Sequence, residues 1–514
     1  MSMRLLRGVA VLTVVAVAGL EAAGTTVRLI DAVKQGNVTA VKALIAQRSN
    51  VNAAEPDGMT ALHWAARAND VQTAQLLVRA GASAKAVSRY GITPLALAAQ
   101  NGSPEMSDLL LKAGADANGA TPEGETVLMT AARTGNAQVI KSLVAHGATV
   151  NTVEQWQGQT PLMFAASQNN GAAVKALIEL GAKPNEKSKL LSFPEFKFET
   201  SGMVVTVLPR GGWTPLMYAA RDGAIDAVGA LADAKADLNL PDPDGTTALM
   251  LAIMNAHFDT AAVLIDKGAD PNVVDSTGMT ALYVSVDMHT LGPMMSRPSP
   301  KLVDKIDAAD VVKLLLAHGA NPNPRLKRPI IGRHHTPTGD ASLGEGATPL
   351  ARAAKSNDLQ VMRLLLDAGA DPRLTIKDRT TVAMIAAAGG AVVGAYAVAI
   401  PVTEESSLEA LKLCVEHGVD INAFNTNGLT ALHNAVTRGS LKIVKYLADQ
   451  GAKLDLRDKQ GRLPLDIALG VGGAGRRGGG GGATRGRGAA QPSGEMATLL
   501  RELMTQKGIP VPQA

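Results

Sequence analysis

The side chains able to do chemistry are few and far apart. Cys414 is the single cysteine, which excludes an internal disulfide and any cysteine-based zinc site. His334-His335 could present imidazoles to a metal, but adjacent residues ligate one ion poorly and no second cluster at ligand spacing accompanies them. Asp242-Pro243-Asp244-Gly245 has the look of a calcium loop, yet Leu240 stands where a first carboxylate should be, so a plain turn is expected. The chain has no HExxH, GxSxG, Walker loop or dinucleotide-binding glycine set. Arg476-Arg477 and Arg485-Gly486-Arg487 are of a type that holds RNA, but no aromatic residues are interleaved, which favours a linker. An enzyme would need a convergent set of His, Asp or Glu in the insertions, and residues 324–344 are the only candidate. The expectation is therefore no catalytic residue, no metal, no cofactor and no nucleic-acid partner. What remains is recognition by large side chains. Aromatic residues are only 3% of the chain. Trp156, Trp213, Tyr90, Phe196 and Phe198 are the candidate anchors, since aromatic side chains dominate interface hot spots. The competing role for Trp156 and Trp213 is packing beneath an inserted segment, and Trp64 is expected in the core.

These residues must be positioned by something, and the chain is periodic. A turn glycine recurs at Gly58, Gly91 and Gly124, then one residue late at Gly158, and again at Gly212, Gly245 and Gly278. The period is about 33 residues. Later copies sit at Gly346, Gly428 and Gly461. After each glycine comes a similar block: TALHWAA, TPLALAA, TVLMTAA, TPLMFAA, TPLMYAA, TALMLAI, TALYVSV, TPLARAA, TVAMIAA and TALHNAV. An apolar run then ends in a signature such as LLVRAGA, LLLAHGANPN or LLLDAGADP. The Thr of each block can cap a helix, and Pro94, Pro161, Pro215 and Pro349 fall at the first helical position, where no N–H is needed. The paired alanines let helices approach closely. Leu and Val at helical spacing build a second helix, ended by a left-handed glycine such as Gly81 or Gly114. Lys235 occupies that glycine position, as does Arg48.

The recurring block and its spacing resemble the ankyrin repeat, over nearly the whole chain from about Val27 to Gly508. The interrupted repeats behind a leader resemble exported bacterial ankyrin-repeat proteins. The resemblance implies an all-α repeat solenoid of stacked helix-turn-helix units, with β-hairpin fingers and a long inserted hairpin. It implies a structural hydrogen bond for His63 and His433, and a scaffold that binds a protein through its concave face and fingers. His146, His318 and His417 precede a terminal glycine, where a donor suits the helix C-terminus.

The expected organisation is a signal peptide over 1–24, an N-terminal capping repeat over 25–56 and repeats over 57–185. A β-hairpin insertion follows over 186–210, then repeats over 211–323 with an insertion at 290–307. A basic loop fills 324–344. Repeats occupy 345–458 with an insertion at 389–406, and a C-terminal capping repeat covers 459–508 with a Gly/Arg-rich insertion at 470–494. In the hairpin, a two-residue loop at Ser201-Gly202 would set Phe198 opposite Val205 and Phe196 opposite Val207. The net charge of +4 is concentrated in the leader, the basic loop and the Gly-rich stretch, which leaves the repeats mildly acidic. Arg4, Arg7 and the apolar run 8–20 read as a leader cleaved after Gly24. Thirteen residues are too few for a membrane span. The mature chain is expected to be periplasmic or secreted, a monomer, with no stable membrane span. Action as a secreted effector inside another cell is the alternative destination.

Overall fold

The computed structural model describes residues 28–192, 196–197, 204–205, 210–290, 304–328, 343–389, 402–471 and 494–512. The leader, the Ser201-Gly202 loop, Phe198, His334-His335 and most of the Gly/Arg-rich stretch lie outside them. The chain divides into two compact units. The first comprises residues up to Trp156 with Thr160–Phe164 and Ala176–Ala182, and the second comprises the remainder.

Each unit is a stack of short helix pairs. In the first, helices Ala61–Arg67, Pro94–Gln100 and Val127–Thr134 pack side by side as one layer, and Val71–Arg79, Pro104–Lys112 and Ala137–Ala145 form the other. In the second unit one layer runs from Pro215–Arg221 through Ala248–Met254, Ala281–Thr290, Pro349–Lys355, Val382–Ala388 and Ala431–Arg438 to Pro464–Ala468. The partner layer runs from Ile225–Asp233 to Gly494–Gln506. Helices of seven to nine residues are too short to persist alone, so the stacked apolar faces stabilise them. The core is small-residue and aliphatic: Ala65, Ala66, Leu77, Ala98, Leu110 and Ala132 are all fully buried.

Local chemistry explains where each helix starts and stops. Thr93 Oγ1 accepts from the Ala96 N–H (3.1 Å), and Thr126, Thr214, Thr247, Thr348 and Thr381 do the same in their repeats. Each such cap is worth about 1 kcal/mol. At the other end, the Ala82 N–H donates to Leu77 O (2.9 Å) and the Gly81 N–H to Val78 O (3.0 Å), a left-handed termination with Gly81 at φ 92°. Lys235 and Arg48 adopt the same turn at φ 62° and 60° without the help of glycine.

Two sequence expectations about β structure change. Within the described residues the fingers are tight turns rather than hairpin strands. They carry isolated bridges, Ala54 with Thr60 and Ala120 with Thr126. Among the described residues the inserted hairpin shows a ladder of two residues per strand, Phe196–Lys197 with Val204–Val205. Its register also differs, because Phe196 faces Val205 and Lys197 faces Val204. The pairs at its base keep the same register. The Ser188 N–H donates to Trp213 O (2.9 Å), and Leu190 bridges Gly211. Counting inward from those pairs without a slip reaches Phe196 opposite Val205.

Candidate protein-docking surface

The fingers are built from one turn, repeated. In the finger at residues 88–92 the Gly91 N–H donates to Ser88 O (3.0 Å) and the Ser88 N–H to Ile92 O (2.8 Å). Gly91 stands at φ 76°, and a Cβ there would lie 2.7 Å from Pro122 Cδ, so conformation and close approach both require glycine. A polar side chain three residues before the glycine braces the turn. Ser88 Oγ, Asp242 Oδ1, Asp275 Oδ1 and Asp458 Oδ1 each accept backbone N–H groups of their own finger. Asp242 therefore serves a turn, as expected. Burial pushes the Asp275 carboxyl above its ordinary value, although the Thr277 hydroxyl opposes this.

Successive fingers are joined by a backbone bond that sequence reading did not anticipate. In the first unit the Arg89 N–H donates to Asp57 O (2.7 Å). Pro122 occupies the next donor position and has no N–H to offer Tyr90 O. The ladder resumes when the Gln155 N–H donates to Glu123 O (3.0 Å). The donor is one residue earlier here than in the finger carrying Arg89, so Trp156 is the extra residue that delays the fourth glycine. Its N–H is held by Glu154 Oε2 (2.6 Å), while the side chain is left 74% exposed. Tyr90 is 64% exposed on its own finger. Val87 and Val153 accompany them, so all four exposed large apolar side chains among the described residues of the first unit lie on its fingers.

Trp213 differs from the anchor expectation. It is 5% exposed, packs edge-on against Tyr218 with ring centroids 5.5 Å apart, and lies under the Arg221 guanidinium (5.4 Å). It is packing at the base of the hairpin, the competing role named for it. Phe196 belongs to the short ladder, and Phe198 is outside the described residues. Trp64, expected in the core, is half-buried. Lys34 Nζ stands 4.2 Å and the Arg67 guanidinium 5.2 Å from its ring centre. Its indole N–H donates to Glu55 Oε2 (2.7 Å). Its position, four residues after the capping Thr60, is also that of Phe164, over which Arg133 sits at 4.9 Å. The signal was present in the sequence, since this is the variable position of each TPLHxAA block.

The remaining chemical residues are structural. His63 Nδ1 accepts from the Thr60 N–H (3.1 Å), which leaves the Nε2–H to donate to Ile92 O (3.0 Å). Burial lowers its pKa, so it is held neutral. His433 repeats the contact with Thr430. His146, His318 and His417 each donate from Nδ1 to the carbonyl four residues back, at 2.9 Å. Burial pushes the Cys414 thiol up to about 12, which makes it inert. Among the described residues no group of three His, Cys, Asp or Glu could hold a metal ion. No described helix is long and apolar enough to cross a membrane.

A stack of capped helix pairs with aromatic residues on its fingers defines a class of repeat protein, and comparison with known families agrees. Ankyrin repeats (3 copies) match residues 29–121, 116–188, 197–275 and 216–292. Ankyrin repeats (many copies) match 396–448, and a single ankyrin repeat matches 345–378. The chain belongs to the ankyrin-repeat family. It is 33% identical over 129 residues to cyclin-dependent kinase 4 inhibitor B of Bos taurus, covering 25% of this chain and 85% of that protein. It is 40% identical over 65 residues to potassium channel AKT1 of Arabidopsis thaliana, which is 13% of this chain and only 8% of the channel. The human ASB11 ankyrin repeat domain aligns with 28% identity and a TM-score of 0.39, over 47% of this chain and 98% of that one.

Proposed function

We propose that the protein is an exported scaffold, without catalytic activity of its own, that binds a protein partner through the finger edge of its first unit. The observation that carries this reading is the placing of Val87, Tyr90, Val153 and Trp156 on the fingers while no large aliphatic side chain of that unit's described helices is exposed. Large apolar side chains held out by hydrogen-bonded turns lose little freedom on binding, which is what an anchor requires. Family membership supports a binding role, and the relative named as a kinase inhibitor is of the kind that acts on another protein. The monomeric state and the periplasmic or secreted destination belong to the same proposal. Its test is affinity capture from the native envelope fraction with the wild-type chain and with Tyr90→Ser/Trp156→Ser. Both side chains are exposed, so the repeats should melt unchanged while the captured partner is lost. A partner captured equally by both proteins would overturn the assignment of this edge.

A further inference from the structure

The second unit carries an edge of different chemistry. The finger at 325–328 closes on 344–347, with the Leu326 N–H donating to Ala347 O (2.9 Å) and the Gly346 N–H to Leu326 O (2.7 Å). It is tied to the next finger twice. The Arg325 guanidinium donates to Thr375 O (2.6 Å), and the Lys377 N–H donates to Glu345 O (2.8 Å). The following steps are the Thr426 N–H to Asp378 O (2.7 Å) and the Lys459 N–H to Asn427 O (2.9 Å). One continuous edge thus presents Lys327, Arg328, Lys377, Arg379 and Lys459, all exposed. Three carboxylates lie beside them, and one of these takes up a cation of the edge. Asp458 is buried and accepts from its own turn, Asp378 Oδ1 accepts from the Thr380 N–H (2.9 Å), and Glu345 pairs with Lys377. Among these cations Phe424 is 52% exposed, with the Arg379 guanidinium 5.4 Å from its ring centre. Arg379 also sits where Gly91, Gly245 and Gly428 sit in their fingers, at φ 66°. A left-handed arginine costs about 1 kcal/mol.

We propose that this edge docks an extended acidic segment of a partner protein, with carboxylates at about every third residue and one apolar side chain set against Phe424. The spacing follows from two rises. Packed helices lie about 8–10 Å apart, so the fingers advance by about that much per repeat. An extended chain advances about 3.3 Å per residue, so one residue in three meets a finger. A peptide fits better than a nucleic acid strand, because strands are held by successive stacking platforms and this edge offers one aromatic ring. The inference rests on the scaffold reading but concerns the second unit, whereas that reading is carried by the first.

The test uses the full chain and fluorescence anisotropy. The probe is a labelled peptide of roughly ten residues, long enough for four fingers, with Glu at every third position and one central Leu. Controls are a peptide of the same composition with its Glu residues in one block, and a labelled oligothymidine of equal charge. The regular peptide should bind about tenfold tighter than the blocked one and weaken with added salt. Lys327→Glu/Arg379→Glu/Lys459→Glu should reduce its binding by a further tenfold or so. Arg379→Gly relieves the left-handed turn, so it should weaken binding while the denaturation midpoint holds or rises. Tyr90→Ser/Trp156→Ser should bind the peptide normally. Equal binding of the two peptides, indifference to the charge reversal, or displacement of the peptide by the oligonucleotide would each overturn the proposal. The scaffold reading would be untouched by those results, since its own test is loss of the partner at Tyr90 and Trp156.

Discussion

At the scale of single residues, Lys235 is, with Arg48, a weak point in a series of second-helix ends otherwise closed by glycine. Its backbone stands at φ 62° with its N–H donating to Ala232 O (2.9 Å). Lys235→Gly should raise stability by up to about 1 kcal/mol, reduced by the extra freedom glycine gives the unfolded chain. Urea denaturation measures it, and a lower midpoint would mean that the lysine side chain contributes more than its strain costs. His289 makes a second, pH-dependent case. Its Nδ1 lies 2.5 Å from Asp358 Oδ2, and that hydrogen bond raises its pKa against the opposing effect of burial. Asp307 adds a smaller electrostatic pull in the same direction. A raised folded-state value means the pair stabilises fully below the unfolded value of about 6.5 and fades as pH rises through the folded one. His289→Gln should therefore cost more stability near pH 6 than near pH 9. An equal cost at both would assign the effect to packing. His63, with a lowered value, has the opposite slope and loses its contribution on acidification.

At the scale of elements, helices Ala281–Thr290 and Pro349–Lys355 are joined by a buried ion pair. Arg352 is 1% exposed, and its Nε donates to Asp287 Oδ1 (2.6 Å). A second nitrogen reaches Ser356 Oγ (2.8 Å). Removing one partner strands the other's charge away from water. Asp287→Ala should cost about 3 kcal/mol, whereas Asp287→Leu with Arg352→Met should come out close to neutral. A double-mutant cycle on denaturation midpoints checks this, and a negligible cost for the single change would show water reaching the guanidinium. The sequence could not announce the pair. Arg352 lies at the variable position of a TPLARAA block, which is half-buried at Trp64 and Phe164 but buried at Leu97 and Tyr218, so the block does not say how deep an arginine there will sit. Asp287 comes 65 residues earlier. The hairpin teaches the same lesson about elements. Ser201-Gly202 is good turn chemistry, but the pairs at the packed base, Ser188 with Trp213 and Leu190 with Gly211, continue into Phe196 with Val205, a register that a two-residue loop there does not give.

For the whole molecule, export is the prediction that determines where any partner is met. Arg4, Arg7 and the apolar run ahead of Ala22-Ala23-Gly24 lead to a mature chain beginning at Thr25. N-terminal sequencing of protein from its native cell should find Thr25 first, and an intact Met1 on cytosolic material would defeat the expectation. The repeat itself was legible from residues alone. Period, capping threonines, first-turn prolines and terminal glycines are local, and each acts within a few residues of its own position. Exposure is different in kind, because it depends on what neighbouring repeats place alongside. Trp156 and Trp213 look alike in the sequence, yet one is extruded by a single extra residue and the other is covered by Tyr218 and Arg221. Lys327, Lys377 and Lys459 belong to separate repeats of a chain whose repeat region reads as mildly acidic. The finger-to-finger backbone bonds bring them into one row, and they do so across insertions that shift these residues off the 33-residue period.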